Sequence, residues 1–316
     1  MKEYKIKPND AGQRLDKYLF KAFPAMPGSL IYKYIRLGRV KVNGKKRAAS
    51  DKLAAGDTLQ LYINDELLER PDADSAYLRL RPQLDVVYED AHILLADKPA
   101  GMLVHEDEHE SVNTLINHIK AYLRQRGEWD PADAASFAPA LCNRIDRNTG
   151  GIVIAAKTAE SLRVMNEKIR AREISKYYLC LVHGVPAKRH AVLENRLSRD
   201  TEQRRVFISG GGELSARLEY TVLDSRRGIS LLECRLITGR THQIRAQMAA
   251  AGHPLVGDTK YGTAALNVGL PFKFQALYSY RLAFDFKTPA GELEYLRGRS
   301  FEAPNVPFLN FFESLD

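Results

Sequence analysis

The sequence predicts an α+β protein: a small basic N-terminal module, then a larger body on a large mixed, mainly antiparallel sheet flanked by helices. Three observations lead there. Helix-like and strand-like stretches follow one another along the body without the regular β-α alternation of a doubly wound sheet. Residues 1–63 carry 10 Lys and 4 Arg against 5 acids, a net +9, whereas the rest of the chain sums to −1. The chain has 316 residues, enough for about two domains. With 45% hydrophobic and 27% charged residues, a disordered chain and a small disulfide scaffold are excluded.

Within 13–22, Leu15, Tyr18, Leu19 and Ala22 recur at helical spacing. Pro24 and Pro27 end that helix. Ser29 is placed to cap a second helix, with Leu30, Ile31, Tyr34 and Ile35 on one face and Gly38 at the stop position. Lys33, Arg36 and Arg39 fall elsewhere on its surface. Val40-Lys41-Val42 alternates as a strand, Asn43-Gly44 is a tight-turn pair, and Gly56-Asp57 leads into a strand over 58–63. A compact basic unit on a neutral body suggests attachment to a polyanion, nucleic acid above all. The polar segment 64–83, with Pro71 and Pro82, reads as a linker. The expected boundaries are therefore 1–63, 64–83 and 84–316.

In the body, 84–88 and 92–96 read as paired strands around Glu89-Asp90. Helices are expected over 113–126 and 158–172, the second with Leu162, Met165 and Ile169 inward, and strands over 151–156, 177–182, 218–224 and 230–237. Residues 241–251 read as a helix with Gly252 just past its end. The apolar runs are far too short to span a membrane, and the first residues have no apolar core of a secretory signal. Cys142, Cys180 and Cys234 are odd in number and widely spaced, which points to a reducing cytosol. His105-Glu106-Asp107-Glu108-His109 matches H-E-x-x-H, but Pro99, Gly101 and the crowding acids place it in a loop, so no metal site is expected. Ser209-Gly210-Gly211-Gly212 lacks the Lys-Ser/Thr of a phosphate loop and reads as a hairpin tip.

Three stretches could carry chemistry. Asn143-Arg144-Ile145-Asp146-Arg147-Asn148-Thr149-Gly150-Gly151 is a polar loop running straight into an apolar strand. It places one carboxylate, Asp146, at a sheet edge between two arginines. A carboxylate beside cations stays ionised and suits a nucleophile or a base; taken alone, it also fits an ordinary turn paired with an Arg. In Gly239-Arg240-Thr241-His242-Gln243-Ile244-Arg245, Thr241 suits a helix cap, and two arginines beside the helix start make an anion site for a phosphate or for Asp146. In Lys176-Tyr177-Tyr178, adjacent tyrosines on a strand face opposite ways, so one is free to face a cleft and stack on a base.

Two resemblances follow from these residues. Gly12-Gln13-Arg14-Leu15-Asp16-Lys17-Tyr18-Leu19, with Ile35, Gly38, Val40, Val42-Asn43-Gly44 and Gly56-Asp57, resembles an S4-type RNA-binding domain. The body, over about 84–300, resembles the RluA family of pseudouridine synthases, which isomerise uridine in RNA. Asp97-Lys98-Pro99-Ala100-Gly101, the Asp146 loop, Lys176-Tyr177-Tyr178, Gly239 to Arg245 with His253 to Asp258, and Leu277 to Leu282 come in the family's order. The family usually reads His-Arg-Leu-Asp and then Thr-Ser-Gly; here Asn143, Ile145 and Gly150 depart from it.

The resemblance implies a pseudouridine synthase-like catalytic domain and an isomerase. Asp146 is its catalytic carboxylate, attacking the sugar or abstracting a sugar proton. Tyr178 stacks on the uracil, Arg245 pairs with Asp146, and Arg144 helps displace the target base. Arg240, Lys33, Arg36 and Arg39 are expected to hold RNA. The implied chemistry needs no metal, redox carrier, ATP or other cofactor. The partner is RNA, ribosomal large-subunit RNA first and transfer RNA second, with no membrane, and the protein is expected to be a monomer. The rival readings are a non-catalytic RNA-binding protein with a degenerate synthase fold, and a glycoside hydrolase, which needs a second carboxylate.

Overall fold

The computed structural model describes residues 1–68, 76–131, 136–200, 202–203 and 205–315. They form two compact units: residues 1–83 with 116–140 and 156–163, and the remainder of the chain. In the first unit, β1 (Lys2–Lys5) precedes helices α1 (Leu15–Ala22) and α2 (Gly28–Arg36), which lead to β2 (Val40–Val42), β3 (Lys45–Lys46) and β4 (Thr58–Leu61). The four strands pair antiparallel in the order β1-β4-β2-β3. Leu15, Tyr18, Leu19 and Ala22 are buried together with Ile31, Val40, Leu59 and Leu61, as the helical and strand periods predict. β1 was not legible: its sequence Lys-Glu-Tyr-Lys is mostly charged, which suits an edge strand bonded on one side only. Ser29 is not the cap of α2. The helix begins two residues earlier than that cap implies, at Gly28, with Pro27 at the cap position. Gly38 takes the left-handed conformation (φ 69) that ends the helix, and Asn43 and Gly44 (φ 52 and 76) turn β2 into β3.

Arg14-Leu15-Asp16, which copies the Arg-x-Asp of the Asp146 loop, is structural. The guanidinium grips the buried Asp16 carboxylate through two bonds of 3.1 and 2.6 Å. Within 64–83 lies a short helix α3 (Ala76–Arg79), and Pro71 is outside the described residues. Trp129 packs on Tyr77, ring centroids 5.4 Å apart, and Asp10 accepts the backbone N–H and the hydroxyl of Ser136.

The second unit is organised on a mixed sheet. Its strands are β5 (Asp85–Glu89), β6 (Ile93–Lys98), β7 (Ala140–Leu141), β8 (Gly150–Ala156), β9 (Ile174–His183), β10 (His190–Asp200), β11 (Arg205–Ile208), β12 (Leu214–Arg226), β13 (Ile229–Leu236), β14 (Leu277–Phe284) and β15 (Ser300–Glu302). The order is β11-β10-β12-β13-β9-β14-β8-β6-β5, with β15 on β14 and β7 on β8. The pairings from β11 to β14 are antiparallel, and β14 runs parallel to β8. The remaining helices are α4 (Leu115–Gln125), α5 (Ala159–Arg170), α6 (Gln243–Ala250) and α7 (Leu309–Glu313). None of the described helices is long and apolar enough to cross a membrane. The Gly210-Gly211-Gly212 stretch is no hairpin tip. β11 and β12 both pair with β10, on its two sides, so this loop crosses from one flank of β10 to the other.

Gly150 and Gly151 set the join between β8 and β14. A Cβ on Gly151 would stand 2.3–2.7 Å from the backbone of Ser279, and its φ is +113. One on Gly150 would meet the Tyr278 ring at 2.5 Å. Only bare backbone allows the parallel pairing of Tyr278 with Gly150 and Ser279 with Gly151. Gly151→Ala is therefore expected to cost about 3 kcal/mol, from φ strain and overpacking together. Thermal unfolding of the variant reads this as a clear fall in midpoint.

Candidate active site

The loop before β8, the outer half of β9 and the start of α6 bring Asp146, Arg144, Tyr178, Arg240, His242 and Arg245 around one cavity of about 270 Å³. The sheet makes this possible because β14 alone separates β8 from β9.

Asp146 sits in a tight turn closed by the Thr149 N–H on the Asp146 carbonyl (3.1 Å). From beneath, the fully buried Lys98 donates to three carbonyls, those of Pro99, Met102 and Arg147, at 2.8–2.9 Å. Three acceptors match the three donors of an ammonium, while burial pushes the Lys98 amine down to about 7. Asn143 ties the other end of the loop: its Oδ1 accepts the Ile154 N–H at 2.8 Å. Thus Asn143 fixes the loop to β8, and the glycine at 150 makes room for Tyr278, whose hydroxyl donates to Asp97 at 2.6 Å.

The two arginines that flank Asp146 in sequence are not its partners. Arg144 is exposed at the pocket wall, and Arg147 turns to donate to the Gly101 carbonyl at 3.1 Å. Adjacent side chains on an irregular loop diverge, which the spacing alone does not reveal. The nearest basic side chains come instead from the start of α6. Arg245 Nη1 is 3.7 Å and His242 Nε2 3.9 Å from Asp146 Oδ2. Nor is the pocket dry around this carboxylate, whose side chain keeps 28% exposure.

Arg245 spends its strongest bonds elsewhere. Its Nε and Nη2 form a bidentate pair with the fully buried Asp258 at 2.6 and 2.9 Å. Asp258 also accepts the N–H groups of Lys260 and Tyr261. Burial pushes the Asp258 carboxyl up, but the Arg245 pairing and these bonds prevail and hold it below the ordinary range. Tyr261 lies under the guanidinium at 5.1 Å, and its hydroxyl accepts the Val206 N–H and meets His242 Nδ1 at 3.0 Å. Burial lowers the His242 pKa, so the imidazole facing Asp146 is neutral at physiological pH.

Thr241 does not cap α6. His242 holds that position in a left-handed conformation (φ 51), and Gln243 folds back to accept the Arg240 N–H at 3.0 Å. The start of α6 is thereby tied internally, and the anion-binding capacity here lies in the arginine side chains.

Tyr177 and Tyr178 face opposite ways, as a strand requires. Tyr178 is buried against the pocket, and desolvation pushes its hydroxyl up to about 12, so it remains a neutral phenol. Tyr177 stacks under the Arg281 guanidinium at 4.0 Å. Lys33, Arg36 and Arg39 are exposed on and just after α2, Arg39 over the Tyr34 ring. His105 and His109 lie in irregular backbone, where Asp107 accepts the His109 and Glu110 N–H groups. Asp258, His242, Tyr261 and Lys98 were given no role from sequence. All four lie within or beside the motif stretches, but their partners are set by tertiary pairing and leave no local pattern.

An aspartate loop, a strand tyrosine and a helix arginine around one pocket, on a mixed sheet preceded by a basic module, define a pseudouridine synthase with an appended RNA-binding domain. The RNA pseudouridylate synthase profile matches residues 92–250 and the S4 domain profile residues 13–59. The chain belongs to the RNA pseudouridylate synthase family, in its RluA-type branch, and is an isomerase acting on RNA. It is 32% identical to ribosomal large subunit pseudouridine synthase D of Xylella fastidiosa, over 87% of this chain and 82% of that protein. It is 34% identical to ribosomal large subunit pseudouridine synthase C of Vibrio vulnificus, over 80% and 77%. The solved human RNA Pseudouridylate Synthase Domain Containing 1 shares the fold, with a TM-score of 0.58 at 23% identity over 75% of this chain and 89% of that one.

Asp258→Asn removes the charge that holds Arg245. At neutral pH the variant is expected to be less stable by about 3 kcal/mol, the usual cost of breaking a buried pair. The sign with pH follows from the lowered carboxyl: its contribution is present above the unfolded aspartate pKa and is lost as pH falls through the folded one. Denaturant unfolding at falling pH should show the gap between parent and variant closing on the acid side.

Proposed function

We propose that the protein converts uridine to pseudouridine in ribosomal large-subunit RNA, with Asp146 as the catalytic carboxylate. The observation that carries this reading is the convergence of Asp146, Tyr178 and Arg245 on one cavity. The preference for ribosomal RNA is supported by relatives named as large-subunit synthases; transfer RNA is the second candidate.

The reaction breaks the C–N glycosidic bond, turns the uracil in the pocket and rejoins the sugar to a ring carbon. A proton leaves that carbon and one is gained at the ring nitrogen, so the atoms balance without a redox carrier, metal or ATP. Asp146, half-open to the pocket, attacks the sugar or takes a sugar proton. The neutral Tyr178 offers its ring face to the uracil and its hydroxyl as a hydrogen-bond donor. Arg245 holds a positive charge near Asp146 without tying up both carboxylate oxygens. Arg144, exposed at the rim, occupies the space of a base leaving its stack, a step that costs a few kcal/mol. Arg240 and the exposed Lys33, Arg36 and Arg39 hold backbone phosphates. In this reading residues 1–63 anchor RNA and 84–316 catalyse, as a monomer.

A glycoside hydrolase would need a second carboxylic acid as proton donor. The nearby acid, Asp258, is locked in its ion pair with Arg245 and has no exposed surface. A degenerate, purely binding protein would have no use for a carboxylate held in this way.

Asp146→Asn keeps the shape but removes both nucleophile and base. It is expected to abolish pseudouridine formation, by three orders of magnitude or more, while RNA affinity persists. Site-resolved mapping of pseudouridine in total RNA from cells with and without the gene identifies the substrate. A variant turning over at the parental rate on that RNA would sink the assignment. Lys33→Gln, Arg36→Gln and Arg39→Gln combined should lower the slope of log affinity against log salt by about 2.1–2.7, since each lost phosphate contact removes about 0.7–0.9. An unchanged slope would mean that this face of α2 does not meet RNA.

A further inference from the structure

Beside the Asp146 pocket lies a second cavity of about 280 Å³, with Lys176 and Arg240 on the wall they share. Arg170, Arg172 and Arg235 complete its charged lining, and no carboxylate lines it among the described residues. Arg170 ends α5, Arg172 follows it, Lys176 lies on β9 two residues before Tyr178, and Arg235 lies on β13.

These cations are poorly neutralised. Arg235 stands 3.7 Å from Glu219 and donates to the Ser175 hydroxyl at 3.3 Å, and Arg240 Nε donates to the Ser215 carbonyl at 3.1 Å. Arg170, Arg172 and Lys176 have no ion pair or side-chain hydrogen bond among the described residues. Lys176 is half-buried, and desolvation lowers its pKa, so an anion beside it would restore what burial takes away. Arg172 holds a left-handed φ of 60 at a position where glycine is the relaxed residue. The dipole at the end of α5 favours Arg170 and Arg172, but it gives no reason for Lys176, Arg235 and Arg240 to face the same groove.

We propose that this groove is a phosphate-binding subsite that seats the RNA backbone next to the nucleotide held in the Asp146 pocket, with Arg170, Arg172 and Lys176 as its unpaired cations. It rests on the pseudouridine synthase reading for its direction: the shared wall at Lys176 and Arg240 places a neighbouring phosphodiester one cavity away from the reacting sugar. Arginine forks match phosphate oxygens in pairs, and an ammonium meets them as a point charge.

The test uses the full chain and unmodified large-subunit ribosomal RNA transcribed in vitro, with affinity measured across a range of salt. Arg170→Gln with Arg172→Gly removes two groove charges, and Lys176→Met removes the shared one. Lys188→Gln with Arg189→Gln, on an exposed turn elsewhere, removes the same net charge as the first pair. The groove pair is expected to weaken binding about tenfold and to lower the salt slope by about 1.4–1.8. Lys176→Met should lower it by about 1, and the control pair should leave both within twofold. Because glycine relaxes the backbone at 172, that pair should melt no lower than its Arg170→Gln parent, which separates lost contacts from misfolding. Parental affinity and slope in the groove pair, or an equal loss in the control pair, would overturn the subsite. Pseudouridine formation on the same RNA reads the enzymatic assignment separately. A parent that binds but does not convert, with a slope still lowered by the groove variants, keeps the subsite and rejects the reaction. No salt-dependent binding by the parent would reject both.

Discussion

Arg245 divides its guanidinium between two carboxylates, and the site depends on how unequal that division is. The fork of Nε and Nη2 goes to Asp258, which is wholly buried, and the remaining Nη1 stands 3.7 Å from Asp146. A guanidinium with only 8% of its side chain exposed needs a full counter-charge, because desolvation of an ion exceeds what a distant partner returns. Asp258 supplies it and is itself held by two backbone N–H groups. If Asp146 were the bidentate partner, its lone pairs would be committed to hydrogen bonds and its nucleophilicity reduced. With Asp258 carrying the pair, Asp146 feels a positive charge yet keeps an oxygen facing the pocket. The buried acid thus leaves Asp146, the proposed catalytic carboxylate, without a bidentate partner.

The sheet delivers these groups with little loop between them. β14 lies between β8 and β9, so the aspartate loop entering β8 and Tyr178 on β9 are one strand apart. That spacing survives only if β8 and β14 approach closely, which the bare backbone of Gly150 and Gly151 allows. Lys98 ties the same loop from the buried side, through the Arg147 carbonyl, to the turn after β6, through the carbonyls of Pro99 and Met102. Asn143 and Gly150, two of the three departures from the family's usual pattern, both act here on position: one anchors the loop to β8, the other admits the Tyr278 ring.

What was legible in the sequence was local chemistry. The helical spacing of Leu15, Tyr18 and Leu19, the Asn43-Gly44 turn, and the alternation that sends Tyr177 and Tyr178 to opposite faces follow from neighbours in the chain. The five positions Arg144, Asp146, Tyr178, Arg240 and Arg245 are legible as motif residues and do meet at one cavity. What escaped was pairing between distant residues. Arg245 and Asp258 are 13 positions apart with no periodic relation, and Arg144 and Arg147 looked like the partners of Asp146 because sequence proximity is not spatial proximity on an irregular loop. Strand β10 escaped for another reason: its sequence is charged and largely exposed, so it lacks the apolar alternation by which strands are read. Without β10, the glycines at 210–212 look like a turn between neighbouring strands, whereas β10 lies between the strands they join.

Charge shows the same contrast between totals and places. The excess of +9 in residues 1–63 made the N-terminal module the obvious site of RNA affinity, and the net −1 of the remainder made the body look indifferent. Net charge, however, governs only the far field, because at physiological salt an exposed charge is screened within about 8 Å. Inside that distance the field is set by which charges lie side by side. In the body, many arginines are spent on carboxylates, as at Arg217–Glu194, Arg226–Asp224 and Arg297–Glu294. Next to the Asp146 pocket, Arg170, Arg172 and Lys176 have no carboxylate partner among the described residues. A body of nearly zero net charge can therefore present a strongly positive groove beside the Asp146 pocket. On the proposed reading the division is kinetic as well as spatial: a +9 module favours encounter with RNA at long range, and unpaired cations beside Asp146 favour one docked geometry among those encounters.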